Sequence, residues 1–409
     1  MTKRKLPSFI EGFMHYMKDS YSPTLLTKWG AIWAVAAAMQ RRTYVFTLNK
    51  PLYPNLYVML VSPPGLGKTQ VTNTLYDLFS VFGDNRLAPS NVTYASIISD
   101  LREAESPMID KEKQRNITIN SLAIISDEMQ VILPSYDTMI IGKLTHLYDC
   151  LPYSESRKTS RKENSFNIPY PQVNMIACAQ PAYIMGTMPE SAWNLGFLSR
   201  TFLVYSTERR PVESLFVVAE TDKDLWKNLE HDIQMIGRLH GKFLFSEEAK
   251  ESINNFARQG VYGGKPIPSH PRLLNYATRR TAHMLKLMQV SCADRAEGNM
   301  EILVEDFDRA YEWLIEMETN VPEIFKEASA DSDQKVALDL LHALNRLYVK
   351  NGEEPISQQL VWQYLSTKVQ ANKAKGLLET MENAGYLISK VHKGKPAYVP
   401  QLPKDMFTE

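Results

Sequence analysis

The sequence has no cysteine pattern, no net charge and no long apolar run, and each absence excludes a class of protein. Its three cysteines, Cys150, Cys178 and Cys292, stand alone, without the paired spacings of zinc sites or disulfide frameworks, which fits a reducing cytosol. Acidic and basic residues balance at 46 each, so affinity for nucleic acid must come from local basic patches. The run GAIWAVAAAM is too short to cross a bilayer and has no signal-peptide cleavage pattern. We therefore expect a cytoplasmic protein with no membrane segment.

Low-complexity tracts, internal repeats and histidine-rich metal motifs are also missing from the 409 residues. Apolar residues make up 44 % and charged residues 22 %, which is typical of a folded globular chain and not of a disordered one. The length favours two or three modules with at least one sizeable core.

Strand-like and helical patterns alternate in the first half of the chain. Ser22-Pro23 predicts an N-cap and a first helical position, followed by a buried helix from about Thr24 to Arg42. The runs LYVMLV, SLAIIS and VNMIACA have strand length and apolar residues throughout, as in strands buried on both faces. With helical patterns between them, they predict an α/β fold with a parallel sheet.

After about Phe245 the pattern becomes helical, as in VEDFDRAYEWLIEME. The small polar stretch EASADSD, around Ala328 to Asp333, reads as a linker. Three helical patterns follow, and then two strand-like runs around a Lys-Gly-Lys turn. This order predicts a winged helix-turn-helix domain at 334–409.

The stretch VMLVSPPGLGKTQV indicates a phosphate-binding loop between a strand and a helix. Backbone N–H groups of such a loop converge on phosphate oxygens at the positive end of the helix. Glycines allow close approach, the lysine reaches the terminal phosphates, and the threonine hydroxyl reaches Mg²⁺. A serine replaces the usual first glycine, which a small residue can do at negative φ. The predicted ATP-binding residues are Ser62, Pro63, Pro64, Gly65, Leu66, Gly67, Lys68, Thr69 and Gln70.

Polar residues follow the later predicted strands. Asp127 and Glu128 end LAIISDE, where Asp127 can hold Mg²⁺ with Thr69 and Glu128 can orient the attacking water. Gln180 ends MIACAQ and can contact the γ-phosphate or the water. Arg200 follows a short apolar helix, from which it can reach out of its own subunit and stabilise phosphoryl transfer in a neighbour. The alternatives are capping roles for the acids and Gln180, and a surface salt bridge for Arg200.

Together with YATRRTAHMLKL, these motifs resemble those of AAA+ ATPases in order and spacing, over roughly Leu25 to Glu318. The LSR and ACAQP elements look most like minichromosome-maintenance-type hexameric helicases. The segment LTKWGAIWAVAAAMQRR looks like phage and plasmid primase-helicase ATPases. The resemblance implies an N-terminal helical segment at 1–50, a P-loop ATPase core at 51–240 and a helical lid at 241–327. It also implies that Arg200 is the arginine finger and that Arg280, or instead Arg279, is the second sensor. Thr201 departs from the pattern, since these helicases usually carry Phe there.

Two basic segments are candidate DNA contacts. In helicases of the type resembled, a hairpin between the acidic motif and the sensor strand projects into the channel of the ring. In this sequence the segment YSESRKTSRKENSF occupies that place, where its cations would contact the DNA backbone. The alternative is that the segment is a solvated loop. The recognition helix and the wing of the winged helix-turn-helix carry lysines that can contact DNA, and the alternative is that this domain contacts protein. The candidate contacts are Arg157, Lys158, Arg161, Lys162, Lys373, Lys375, Lys393 and Lys395.

Three functions fit these motifs. The first is a hexameric, phage-type replicative helicase that hydrolyses ATP to move on single-stranded DNA, in the host cytoplasm and beside a primase or single-strand-binding protein. The second is an ATP-dependent switch on DNA, such as a helicase loader, replication initiator or transposition regulator, that does not unwind. The third is a transcription regulator whose winged helix does the work. A motor predicts fast, DNA-stimulated hydrolysis, whereas a switch predicts slow hydrolysis.

Overall fold

The computed structural model describes residues 3–83, 86–89, 94–110, 114–134, 138–159, 162–184, 188, 192–193, 196–211, 220–259, 273–295, 299–366, 368–369 and 371–401. The chain divides into two units, Met1–Phe325 and Lys326–Glu409. The predicted division of the first unit into N-terminal segment, core and lid stays a prediction.

The described elements of the first unit are as follows. Its helices are α1 (Phe9–Tyr16), α2 (Thr24–Met39), α3 (Lys68–Phe79), α4 (Tyr94–Glu103), α5 (Met129–Ile132), α6 (Thr138–Tyr148), α7 (Glu220–Ile236), α8 (Glu247–Gln259), α9 (Leu274–Ala277) and α10 (Arg280–Asp294). Its strands are β1 (Thr43–Thr47), β2 (Lys50–Leu52), β3 (Tyr57–Val61), β4 (Glu105–Asp110), β5 (Arg115–Ser126), β6 (Tyr153–Thr159), β7 (Lys162–Ile168), β8 (Pro171–Ala179), β9 (Thr201–Tyr205), β10 (Gly241–Lys242), β11 (Leu244–Phe245) and β12 (Glu301–Ile302).

A five-stranded sheet in the order β4-β5-β8-β3-β9 forms the centre of the first unit. Strands β5, β8, β3 and β9 are parallel, and the edge strand β4 is antiparallel to β5. Every residue of β3, β8 and β9 is buried, because helices cover both faces of the sheet. The α/β prediction is therefore confirmed. Strand β3 lies between β8 and β9, and the loop that follows it begins at the carboxyl edge of the sheet. Ligands usually bind at this edge of a parallel sheet, at the point where connections from adjacent strands run to opposite sides.

Helix α2 is buried along almost its whole length, as the sequence predicts. Its Trp29 ring lies 4.9 Å from the ring of Phe202 on β9, and its Trp33 ring lies 5.3 Å from that of Phe79 on α3. The predicted start of this helix at about Thr24 is confirmed, whereas its N-cap is Pro23 and not Ser22. A carboxylate takes the role of the cap: the Thr24 N–H donates to Glu208 Oε2 over 2.6 Å.

Helix α11 (Val304–Lys350) passes without interruption through the stretch that we expected to be a linker. Residues 326–335 contain neither Gly nor Pro, so nothing in the local sequence breaks the helix. The boundary between the two units, at Phe325 and Lys326, nevertheless lies close to the predicted end of the lid at 327.

The second unit ends in two helices and a small antiparallel sheet. After α11 come β13 (Ile356–Ser357), α12 (Gln358–Ser366), α13 (Ala371–Asn383), β14 (Leu387–His392) and β15 (Lys395–Pro400). The strand order is β13-β15-β14, and the turn Lys393-Gly394 joins the last two strands. Leu378 and Met381 of α13 are buried. Tyr386 follows the end of α13 at Asn383 and is 41 % exposed.

Candidate functional site

The loop between β3 and α3 turns on two glycines in the left-handed region, Gly65 at φ +78° and Gly67 at φ +72°. A Cβ on Gly67 would meet two ring carbons of Tyr21 at 2.7 Å, so both the backbone and the packing require glycine there. Ser62 is not among the described residues with positive φ, and it is fully buried. Its N–H donates to the carbonyl of Ala179 over 3.3 Å. A serine therefore fits the position where phosphate loops usually carry glycine.

Lys68 begins α3 and folds back on the loop. Its Nζ donates to the Ser62 carbonyl over 2.7 Å, to the Pro63 carbonyl over 2.9 Å, and to Ser62 Oγ over 3.0 Å. The ammonium group and the first N–H groups of a 12-residue helix therefore lie at the same end of the loop. Such an arrangement attracts an anion, because the N–H groups at a helix N-terminus and the helix dipole act in the same direction.

Asp127 lies beside the first turns of α3. Thr72 Oγ1 donates to Asp127 Oδ1 over 2.5 Å and lies 3.1 Å from the carbonyl oxygen of Thr69. Thr72 is not among the site residues predicted from the sequence, although its place three residues after Thr69 puts it near the same helix face. Thr69 and Asp127 are the residues that could hold Mg²⁺, which usually takes only one or two protein ligands beside phosphate and water. The described residues contain no group of three or more His, Cys, Asp or Glu side chains that could hold a metal ion.

The register of the sheet places the remaining predicted residues at the same edge. Val61 pairs with Ala179, so Gln180 follows its strand beside Ser62. Ser126 pairs with Ala177, so Glu128 emerges one strand farther on. The side chains of Glu128 and Gln180 are exposed. A cleft of about 610 Å³ opens there, between α3 and the end of β5, and its lining includes Thr72, Asp77, Asp127 and Glu128.

Cys178 lies just below this edge and is buried. Burial, with a smaller effect of Asp127, raises the pKa of its thiol to about 12. The thiol therefore stays protonated at neutral pH and is not a nucleophile for this site.

Residues just before α2 form hydrogen bonds with the phosphate loop, and these contacts were not predicted from the sequence. Ser22 Oγ donates to the carbonyl of Gly67 over 2.6 Å, and Ser20 Oγ donates to Gln70 Oε1 over 2.5 Å. Arg210 Nη1 donates to the carbonyl of Ser22 from the segment after β9. Only the tertiary structure brings these residues together, because Ser22 is 45 residues from Gly67, Ser20 is 50 residues from Gln70, and Arg210 is 188 residues from Ser22.

Arg200 lies at the opposite edge of the sheet from the phosphate loop. It directly precedes β9, whose Thr201 pairs with Tyr57 at the amino end of β3. The five residues of β3 separate the two edges by about 16 Å at ~3.3 Å per residue. Arg200 therefore cannot reach the phosphate loop of its own chain.

Arg200 makes an ion pair within its own subunit, and its predicted reach into a neighbouring subunit stays a prediction. Its side chain is 10 % exposed and makes a bidentate ion pair with Asp149, from Nε over 3.2 Å and from Nη2 over 2.7 Å. Nη1 also donates to the carbonyl of Gly196 over 3.0 Å. These acceptors hold the guanidinium against its own subunit, and no sequence signal linked Asp149 to Arg200.

Arg280, the predicted second sensor, makes its contacts with Glu318 inside the subunit. Its side chain is 8 % exposed, and Nε and Nη2 donate to the two carboxylate oxygens of Glu318 over 2.8 and 2.7 Å. The hydroxyl of Tyr276 donates to the same carboxylate. Arg280 is thus an internal anchor between α10 and α11. The alternative, Arg279, is 32 % exposed, and its Nη1 lies 3.8 Å from Asp149 Oδ1.

A buried polar cluster lies next to the pair of Arg200 and Asp149. Lys286 Nζ donates to the carbonyl and to Oδ1 of Asn55, both over 2.7 Å, and lies 4.2 Å from the centre of the Tyr148 ring. Burial lowers the pKa of Lys286 to about 7. Burial also lowers the pKa of His283 to about 3, so this ring is neutral and donates its Nε2–H to the Ser199 carbonyl over 2.9 Å. The cluster connects α10 to the amino edge of the sheet.

The first basic segment forms an antiparallel hairpin in which β6 pairs with β7 from Tyr153 and Ile168 to Thr159 and Lys162. Arg161 lies outside the described residues, and so do the side chains of Arg157, Lys158 and Lys162. Their predicted contact with DNA therefore stays a prediction.

The basic residues of the second unit are on its surface. Lys373 and Lys395 are exposed. Lys375 is 75 % exposed and lies 3.9 Å from Glu379. Lys393 is 72 % exposed and donates to Glu354 over 3.2 Å. Its ion pair with Glu354 lowers the net positive charge of this turn.

Comparisons with known proteins gave no relative: no protein-family model matches the chain, and no curated protein matches it. In the described part of the chain, no helix has both the length and the apolar character needed to span a bilayer.

Proposed function

We propose that the chain is an ATPase with an AAA+ core and a C-terminal winged helix-turn-helix, which hydrolyses ATP to translocate on single-stranded DNA as a homo-oligomeric ring. The observation that carries the ATPase proposal is the meeting of separate sequence motifs at one edge of the sheet. Lys68 at the start of α3, Asp127 bonded to α3 through Thr72, and Glu128 and Gln180 after neighbouring strands all lie there. Phosphoryl transfer needs this combination of a phosphate cradle, a carboxylate for the metal ion and a group that orients water.

The residues divide the work as follows. The N–H groups at the start of α3 and the ammonium group of Lys68 bind the terminal phosphates, after Lys68 exchanges its loop carbonyls for phosphate oxygens. Thr69 and Asp127 would hold Mg²⁺, which neutralises phosphate charge when bound. Glu128 accepts the proton of the attacking water, and Gln180 contacts the γ-phosphate or that water.

The distance between the two edges of the sheet supports assembly of several copies. Because Arg200 lies about 16 Å from the phosphate loop of its own chain, a phosphate that it contacts must belong to a second copy. In a ring, the amino edge of the sheet in each subunit would face the nucleotide that is bound to the next subunit. We expect a hexamer, by the resemblance to ring helicases.

The proposed role on DNA depends on the two basic regions. The β6–β7 hairpin carries four Lys or Arg residues at 157–162, which would contact the phosphate backbone. The order of helices and hairpin in the second unit supports a winged helix-turn-helix, with exposed Lys373 and Lys375 near the start of α13 and Lys395 on the turn side of β15.

Steady-state ATP hydrolysis and ATP binding test the nucleotide site. We expect Lys68→Ala to lose binding or turnover, and Glu128→Gln to bind ATP without turnover. Lys227→Ala is a matched control, since Lys227 is a 73 % exposed lysine on α7, and it should behave like the wild type. Unchanged hydrolysis in both site variants would contradict the proposal. Slow hydrolysis that DNA does not affect, with ATP-dependent binding to duplex, would favour the loader or regulator.

A further inference from the structure

The guanidinium group of Arg200 has hydrogen-bonding capacity left after its contacts within the subunit. An arginine side chain has five N–H donors. One on Nε and one on Nη2 bind Asp149, and one on Nη1 binds the Gly196 carbonyl. The other two, one on each terminal nitrogen, have no acceptor in the part of the chain that the structure describes. Two such N–H groups suit the oxygens of a phosphate, to which arginine often binds in a bidentate manner.

The charges around Asp149 also favour an anion. Its single carboxylate lies against two arginines, 2.7 Å from Arg200 Nη2 and 3.8 Å from Arg279 Nη1. This group of three side chains therefore has a net charge of +1. The side chain of Arg200 is 10 % exposed, whereas Asp149 is 34 % and Arg279 is 32 % exposed, so solvent reaches this group mainly at Asp149 and Arg279.

We propose that Asp149 is a positioning residue for Arg200, holding one edge of the guanidinium so that the remaining N–H groups bind a nucleotide phosphate of a second copy of this chain. The inference rests on the proposed function, since it needs ATP in the neighbouring subunit. The ion pair with Asp149 then has a functional role, because it orients Arg200 before the phosphate binds. The pair does not have to break, since the phosphate needs only the N–H groups that Asp149 leaves free.

Steady-state kinetics of ATP hydrolysis test this inference, because they give kcat and KM separately. Asp149→Asn keeps the shape of the side chain but removes its charge and one acceptor oxygen. We expect kcat to fall roughly 10- to 100-fold, the cost of misplacing a reacting group by about 1 Å. KM for ATP should change less than kcat, because the phosphate loop that binds ATP in each subunit lies at the opposite edge of the sheet and stays intact in this variant. Asp224→Asn is the matched control, since Asp224 is an 84 % exposed partner of Lys227, and it should leave both parameters unchanged.

A double-variant cycle asks whether Asp149 acts through Arg200. If it does, Arg200→Ala combined with Asp149→Asn should be no slower than Arg200→Ala alone. Arg200→Lys keeps the charge of the side chain and loses the bidentate pair, so it should lower kcat in the same way as Asp149→Asn. Independent effects that multiply in the double variant, or a normal kcat in Asp149→Asn, would overturn the inference.

Mixing subunits distinguishes positioning from a structural defect. Asp149→Asn subunits keep an intact Glu128, whereas Glu128→Gln subunits keep an intact Arg200 and Asp149. In mixed rings, the sites of the former should regain hydrolysis from the arginine of the latter. Glu128→Gln subunits that also carry Asp149→Asn should not rescue. If Asp149→Asn lowers the unfolding temperature, Arg200→Lys takes its place in the same mixture.

The outcomes separate this inference from the proposed function. Failure to rescue with folded subunits overturns the role of Asp149 while wild-type hydrolysis still supports the ATPase. Absence of hydrolysis in the wild type removes the proposed function, and the inference with it.

Discussion

Replacing Gly67 by alanine should damage the phosphate loop more than replacing Gly65, although both residues have positive φ. At Gly65 an added Cβ has nothing within 4 Å, so the variant carries only the cost of a left-handed backbone. At Gly67 the added Cβ lies 2.7 Å from two ring carbons of Tyr21 and 3.1 Å from Ser22 Oγ. The Gly67 variant therefore carries the same backbone cost and a steric one.

The magnitudes follow from these two terms. The left-handed conformation costs a residue with a side chain roughly 1–2 kcal/mol, so Gly65→Ala should lower the free energy of unfolding by about that amount. Overpacking typically costs about 1–3 kcal/mol. Tyr21 is 38 % exposed and can partly move away, which favours the lower end of that range. The total expected for Gly67→Ala is about 2–4 kcal/mol.

Urea unfolding followed by tryptophan fluorescence measures this difference. A Trp362→Phe background limits the signal to the first unit, because the other five tryptophans lie before residue 326. Adding Tyr21→Ala to Gly67→Ala should remove the steric term and leave a loss like that of Gly65→Ala, after correction for Tyr21→Ala alone. Equal losses in the two glycine variants, or no recovery in the double variant, would refute the reasoning.

Two further predictions concern charged groups behind the site. Arg280→Ala should lower the free energy of unfolding by about 3–5 kcal/mol, because it leaves the buried Glu318 without its partner. Arg279→Ala is the control and should change the free energy of unfolding little. Thermal and urea unfolding compare the two variants, and equal losses would contradict the anchor role of Arg280. Burial lowers the pKa of Lys286 to about 7 in the folded state, whereas the unfolded chain has the ordinary lysine pKa of 10.5. The unfolded state therefore binds more protons between these two pH values, and stability rises with pH in that range. Lys286→Met should flatten the increase from pH 7 to 9 in urea unfolding, and an unchanged slope would show that another group causes it.

The sequence was sufficient for the parts of the fold that depend on local pattern. Buried strands such as β3 have continuous apolar runs, and the phosphate loop has fixed spacing, so both could be predicted. The capping group of α2 could not be predicted, because Glu208 supplies it from a distant segment. The helix through 326–335 was missed because small polar residues favour linkers only weakly when Gly and Pro are absent.

The directions of long side chains were the least predictable part of the site. Arg200 and Arg280 both follow motifs that suggest exposed, active cations, yet each makes a bidentate pair with a carboxylate. Those carboxylates, Asp149 and Glu318, lie 51 and 38 residues away along the chain. A single sequence gives no signal for such contacts, because they depend on how α6, α10 and α11 pack.

The measurement that most directly tests the central claim is steady-state ATP hydrolysis by the protein alone, with single-stranded DNA and with duplex, at low and moderate salt. We expect strong stimulation by single strands, which weakens with salt and is lost when Arg157, Lys158, Arg161 and Lys162 are replaced by glutamine. Replacing Lys373, Lys375, Lys393 and Lys395 instead tests the second unit separately. Hydrolysis that single-stranded DNA leaves unchanged in the wild type would contradict the proposed translocating motor.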